Sequence, residues 1–117
     1  MEILANILIG FVALLHIGFL ALEMFLWTKP FGRKTFRMTE EYAQASASLA
    51  ANQGLYNGFL AAGLVWGLIT GDFATKAFFL ICVLIAGLYG GLTTKRTILY
   101  LQALPGLLGL VFLYLSR

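Results

Sequence analysis

Four long apolar segments, separated by short polar stretches, organise this sequence. They cover about residues 3–27, 43–69, 74–92 and 98–115. A helix needs roughly 20 apolar residues to cross a bilayer, and each segment is near that length or longer. The segments do not alternate between apolar and polar residues, as the strands of a membrane barrel do. The pattern therefore predicts an all-α protein with four transmembrane helices.

The polar stretches between these segments predict how the helices connect. Pro30 ends the first helix, and Thr39, followed by two glutamates, has the pattern of a helix N-cap. The later connections, about residues 70–72 and 93–97, are short. Short connections make consecutive helices antiparallel neighbours. We therefore expect an up-down bundle that forms a single integral membrane domain over residues 1–117.

Composition and charge support a membrane protein and predict its orientation. The chain is 61% hydrophobic and 11% charged, whereas a soluble domain has roughly 25% charged residues. Six of its eight lysines and arginines lie in the loops 28–42 and 93–97, and basic loops favour the cytoplasm. We expect both termini outside. The net charge of +3 then reflects topology and contact with anionic membrane lipid, so no nucleic-acid partner is expected.

The first apolar segment is longer than the hydrophobic region of a signal peptide, so we expect it to remain as the first span. A bacterial inner (plasma) membrane is the expected location. One histidine, one cysteine (Cys82) and no cluster of acids predict no metal site and no cofactor.

Polar residues inside the apolar segments are the candidates for chemistry. His16 and Glu23 are seven residues apart, which places them on one helix face about 10 Å apart along the axis. The other three segments carry polar residues in the same half of the predicted bundle, the half nearer the cytoplasm. These are Asn52, Gln53, Tyr56, Asn57, Tyr89 and Gln102. Together they predict a polar pocket that opens toward the cytoplasm.

The same residues have a simpler structural explanation. Asparagine, glutamine and tyrosine in membrane helices commonly form hydrogen bonds between helices. Glu23 lies near the predicted membrane boundary and could pair with Lys29 or Lys95. Ionisable residues in hydrocarbon are nevertheless candidates for function by default, because burying their charge is unfavourable. Both explanations remain open at this point.

Glycines recur at the spacing of helix-packing motifs. The second segment has Gly54 with Gly58 and Gly63 with Gly67, and the later segments carry further glycines. Small residues allow helix backbones to approach closely in lipid. These faces predict either packing inside the bundle or a homo-oligomer.

Several of these residues resemble a known family. The stretch from His16 to Trp27 (HIGFLALEMFLW), a basic loop containing Phe36, and the stretch NQGLYNG from Asn52 are similar to a family of small bacterial inner-membrane proteins. It is the family of unknown function numbered thirteen hundred and four. The likeness runs over nearly the whole chain. It implies a four-helix membrane protein and singles out His16, Glu23, Asn52, Gln53 and Asn57, but it implies no activity.

Three functions are compatible with this pattern. The first is transport, in which Glu23 exchanges a proton with a cationic or polar small molecule and His16 relays protons. That layout resembles small multidrug-resistance transporters. The second is a membrane-embedded acid–base enzyme, such as an isomerase acting on an apolar substrate, although no nucleophile is specified. The third is an assembly protein that recruits a membrane partner. The carboxylate on the first helix favours transport or small-molecule binding, and whether the chain is an enzyme stays open.

Overall fold

A computed structural model describes all 117 residues, and it is helical with no strand. The helices are α1 (Glu2–Phe25), α2 (Pro30–Phe36), α3 (Glu40–Thr70), α4 (Phe73–Thr93) and α5 (Leu99–Leu115). The predicted all-α class is therefore confirmed. By length and composition, α1 and α4 could cross a membrane, and α5 is a shorter apolar helix. Polar residues interrupt the apolar run of α3, so the four transmembrane helices stay a prediction.

Helix α2 lies in a stretch that the sequence predicted to be a loop. Pro30 occupies its first turn, where a missing N–H costs nothing because that donor has no partner inside the helix. Arg37 ends the helix in a left-handed conformation, with φ of 54°. Its seven residues make two turns, which is too short for the helical period to stand out in the sequence.

The five helices form two compact units. The central unit is His16–Phe59, which contains the second part of α1, all of α2 and the first part of α3. The terminal unit combines Met1–Leu15 with Leu60–Arg117. The single domain expected from the sequence stays a prediction.

The terminal unit contains the main hydrophobic core. Its fully buried side chains include Ile9, Leu64, Leu80 and Val83. Glycines bring its helices together: a Cβ at Gly87 would lie 2.7 Å from the backbone nitrogen of Ala103. The packing role predicted for small residues therefore operates within this unit.

Two polar interactions stabilise the N-terminal end of α4. Asp72 caps the helix by accepting hydrogen bonds from the Thr75 hydroxyl (2.6 Å) and the Thr75 N–H (2.9 Å). These bonds hold the pKa of Asp72 below its ordinary value. Lys76 is only 4% exposed, and its ammonium donates to Oδ1 of Asn6 at 2.8 Å. A buried cation is thus supported by a neutral amide.

The π-helical start of α5 has a clear cause in the sequence. Residues Leu99–Ala103 form a wider π-helical turn, and Pro105 follows two residues later. Proline lacks an N–H and its ring crowds the preceding turn, so a widened turn accommodates it.

Candidate functional site

Glu23 occupies an unusual segment of backbone in the central unit. The last turn of α1, Ala21–Phe25, is π-helical, and the N–H of Leu26 donates to the carbonyl of Ala21 at 3.1 Å. No proline or glycine lies in this segment to explain it. Single π-helical turns inside α-helices are rare and occur frequently at functional sites. No pattern in the sequence predicts this feature.

The Glu23 carboxylate accepts a hydrogen bond from Asn57 on α3. Nδ2 of Asn57 lies 2.5 Å from Oε1 of Glu23. Asn57 is 7% exposed, whereas Glu23 is half-buried. The structure thus joins two of the predicted candidates, one from the first apolar segment and one from the second. A carboxylate that keeps access to its surroundings and has a fixed neutral donor is the central feature of this site.

A glycine permits the close approach that this hydrogen bond requires. Gly54 lies one turn before Asn57 on α3, and a Cβ there would be 3.0 Å from Cβ of Glu23 and 2.7 Å from Cγ of Met24. At Gly58, one turn later, a Cβ would be 2.6 Å from Cδ1 of Leu20. Both glycines therefore pack against α1 within the chain. A homo-oligomer through the glycine faces stays a prediction.

Trp27 holds the segment that follows α1 against both α3 and α2. Nε1 of Trp27 donates to the hydroxyl of Ser46 on α3 at 3.0 Å, and the Trp27 ring lies 5.0 Å from the ring of Phe36 on α2. Gly32 packs directly on the carbonyl of Leu26, where a Cβ would have no room. The sequence did not indicate these contacts, because Trp27 stands out there only as the last residue of the stretch HIGFLALEMFLW and Ser46 lies in no recognisable motif. They fix the chain just after Glu23.

His16 is completely buried and begins the central unit. Its imidazole packs edge-on against the ring of Phe19, with 5.2 Å between centroids. The predicted relay between His16 and Glu23 assumed a regular α-helix between them. The π-helical turn changes the rotation along α1 just before Glu23, so the sequence spacing no longer measures the angle between the two side chains.

Three candidates on α3 lie on its exposed side. Asn52 and Gln53 are exposed, and Tyr56 is 56% exposed with its ring 5.7 Å from that of Phe59. At 100° per residue, Asn52 is about 140° from Asn57 around the helix. Asn52 and Tyr56 are four residues apart and therefore share one face of α3, which points away from the Glu23–Asn57 pair.

The two remaining candidates belong to the terminal unit. Tyr89 is 72% exposed on α4. Gln102 is half-buried, and its Nε2 donates to the carbonyl of Val83 at 3.1 Å. Gln102 thus joins α5 to α4 by a hydrogen bond, the structural role that the sequence left open for such residues.

A groove of about 250 Å³ lies between α4 and α5 in the terminal unit. Its walls are almost entirely apolar, and none of the predicted site residues contributes to them. They are formed by Leu84, Leu88, Leu99, Tyr100, Ala103, Leu104 and Leu107. No carboxylate, imidazole or amine lines the groove.

Comparison with known proteins places the chain beside proteins without an assigned activity. A family described as "Protein of unknown function (DUF1304)" matches residues 10–114. The uncharacterized protein YpaA of Lactococcus lactis subsp. lactis (strain IL1403) is 30% identical over 115 residues, which cover 95% of this chain and 97% of YpaA. No solved structure matches the chain. The resemblance noted in the sequence is therefore confirmed.

Proposed function

We propose that this chain, which belongs to the family of proteins of unknown function (DUF1304), is a multi-pass membrane protein that exchanges protons for a small cationic molecule at Glu23. The observation that carries the proposal is the hydrogen bond from Asn57 to the Glu23 carboxylate, on a π-helical turn of an apolar helix. Apart from Glu2 at its first residue, Glu23 is the only acidic residue of α1.

The outward faces of four helices support the membrane placement. Large apolar side chains are exposed on each of them: Ile3 (77%) on α1, Ile69 (79%) on α3, Leu92 (69%) on α4 and Tyr100 (69%) on α5. Soluble monomers rarely expose extended apolar patches. At 1.5 Å per residue, α5 is roughly 25 Å long, and α3 is longer than the bilayer core of about 30 Å. Four spans are therefore consistent with these helix lengths.

The distribution of charge supports the orientation. Lys29, Arg33, Lys34 and Arg37 lie on or beside α2, and basic residues next to spans favour the cytoplasmic side. This orientation places the end of α1 that carries Glu23 toward the cytoplasm and both termini outside. The bacterial relative supports the plasma membrane of a bacterium as the location.

The chemistry follows from the neutral partner of Glu23. The Asn57 amide fixes the carboxylate but carries no charge, so it cannot neutralise it. A carboxylate in an apolar setting favours neutralisation, which either a proton or a bound cation can supply. Binding of the cation to the carboxylate therefore releases the proton to the solvent, and rebinding of the proton releases the cation. This competition is the coupling step of a proton-linked exchanger.

Proton release on binding of a lipophilic cation tests this proposal. Purified protein in a weakly buffered detergent solution with a pH-sensitive dye is titrated with tetraphenylphosphonium. We expect about one proton released per cation bound by the wild type and none by Glu23→Gln. Glu2→Gln is the matched control, because Glu2 is exposed at the start of the same helix, and it should behave as the wild type. Equal release by Glu23→Gln, or no release by the wild type, contradicts the proposal.

A further inference from the structure

Helix α3 has a second face whose residues repeat at the spacing of a helix-pairing seam. We define the outer seam as Ala45, Leu49, Asn52, Tyr56 and Phe59, which follow one another at intervals of four, three, four and three residues. This is the heptad spacing by which two helices pack along their length. All five residues are exposed, with Leu49 at 77% and Phe59 at 54%.

The opposite side of α3 has the same spacing and already has a partner. Ala50, Gly54 and Asn57 follow at intervals of four and three residues, all are buried, and Gly54 and Asn57 contact α1. Helix α3 is therefore built to pack on two sides. Helix α1 covers one side of α3, whereas the outer seam is exposed.

Asn52 makes the exposure of the outer seam unfavourable in a membrane. It is the thirteenth residue of a helix that spans Glu40–Thr70, so it lies well inside the apolar layer if α3 crosses the bilayer. An amide exposed to hydrocarbon has no hydrogen-bond partner there, and lipid cannot supply one. Amide side chains in membrane helices are accordingly found bonded to another helix.

We propose that a second copy of this chain docks on the outer seam, with the two α3 helices parallel about a two-fold axis and the two Asn52 amides paired. An amide donates through its nitrogen and accepts through its oxygen, so two identical asparagines satisfy each other reciprocally. A two-fold axis brings the same residue of each copy together. A single asparagine at a core position of a helix pair also fixes the register.

The residues beside Asn52 fit this occupant. Tyr56 and Phe59 form an edge-to-face pair on the seam and supply aromatic contact area, and Leu49 lies on the other side of Asn52. The seam carries no charged residue, so two copies meet without repulsion. The proposal rests on the membrane placement given above but not on proton exchange at Glu23.

Disulfide crosslinking in membranes tests the geometry of the pair. Cys82 is the only cysteine, so Cys82→Ala gives a background in which Leu49→Cys and Tyr56→Cys report on the seam. We expect both to form covalent dimers on oxidation, because paired seam positions bring Cα atoms within disulfide reach. Leu55→Cys is the matched control: Leu55 is 42% exposed but lies about 100° from Tyr56 around the helix. Crosslinking of Leu55→Cys as efficient as that of Tyr56→Cys overturns the proposal.

Energy transfer between labelled copies in liposomes tests the role of Asn52. We expect Asn52→Leu to weaken dimerisation about tenfold, the change that a membrane hydrogen bond of ordinary strength carries, and Leu55→Ala to leave it unchanged. Absence of energy transfer between wild-type copies overturns the proposal. An Asn52→Leu dimer as stable as the wild-type dimer also overturns it. Glu23→Gln should dimerise as the wild type does, so failure of the dimer and failure of proton exchange give different results.

Discussion

Gly54 offers a quantitative test of the packing that creates the Glu23 site. In Gly54→Ala, the new Cβ would lie 2.7 Å from Cγ of Met24 and 3.0 Å from Cβ of Glu23. Ordinary carbon contacts begin at about 3.5 Å, so these atoms must retreat by about 0.8 and 0.5 Å. The Met24 side chain can bend away. Cβ of Glu23 is fixed to its backbone, so α1 and α3 must separate at this level.

The expected magnitude follows from two opposing effects. Overpacking of this kind typically costs about 1–3 kcal/mol. Alanine is about 1 kcal/mol better than glycine inside a helix, which offsets part of that loss. Gly18→Ala isolates the second effect, because nothing lies within 4 Å of a Cβ at Gly18. We therefore expect Gly54→Ala to be less stable than Gly18→Ala by about 1–3 kcal/mol.

Reversible unfolding with sodium dodecyl sulfate, followed by circular dichroism in mild detergent, measures this difference. Gly18→Ala should match or exceed the wild type in free energy of unfolding, and Gly54→Ala should fall below Gly18→Ala. Because separation of the helices also draws Asn57 away from Glu23, Gly54→Ala should reduce proton release on cation binding. Equal stability of Gly54→Ala and Gly18→Ala would contradict the close approach of α1 and α3 at Gly54.

Two further predictions concern the terminal unit. The Thr75 hydroxyl and N–H lower the pKa of Asp72, which caps α4. The cap therefore contributes stability at pH values above the unfolded pKa of about 3.9. This stability is lost as the pH falls through the lower pKa of the folded state. Unfolding midpoints measured from neutral to acid pH should show this loss. In Asp72→Asn, whose side chain can cap but does not titrate, the midpoint should depend less on pH. An equal pH dependence in the wild type and Asp72→Asn contradicts the role of Asp72. Asn6→Leu should destabilise the protein by about 1–3 kcal/mol, because the buried Lys76 ammonium loses its acceptor. Lys76→Met should be nearly neutral in the same detergent titration, since it removes the buried charge itself, and equal losses in both variants argue against this explanation.

The helical architecture could be predicted from the sequence because apolar length is a strong signal. The segments around Ile9 and Leu80 are long and predominantly apolar, and both form helices. The short helix after Pro30 could not be predicted, because two turns show no periodicity. The π-helical turn at Glu23 could not be predicted either, since no proline or glycine within Ala21–Phe25 indicates a break in the α-helix.

The sequence indicates which polar residues are candidates for the site, but it does not indicate which of them lie together. Glu23 and Asn57 stand out as polar residues in apolar helices, and the structure pairs them. Asn52 and Tyr56 were predicted to belong to the same pocket because of their depth along the helix, but depth does not reveal which way a side chain faces. The burial of each residue decides this: Gly54 and Asn57 are buried, whereas Asn52 and Tyr56 are exposed. The small residues on α3 were the better guide to the face that packs.

Infrared difference spectroscopy tests the central claim most directly, because it observes the carboxyl group of Glu23 itself. Spectra of the protein in membranes are recorded before and after addition of tetraphenylphosphonium, at a pH where Glu23 carries its proton. We predict that one protonated-carboxyl band disappears as the cation binds, that this band is missing from Glu23→Gln, and that it is displaced in Asn57→Leu. A band that persists when the cation is bound, or that disappears equally in Glu23→Gln, would show that Glu23 is not the group that exchanges the proton.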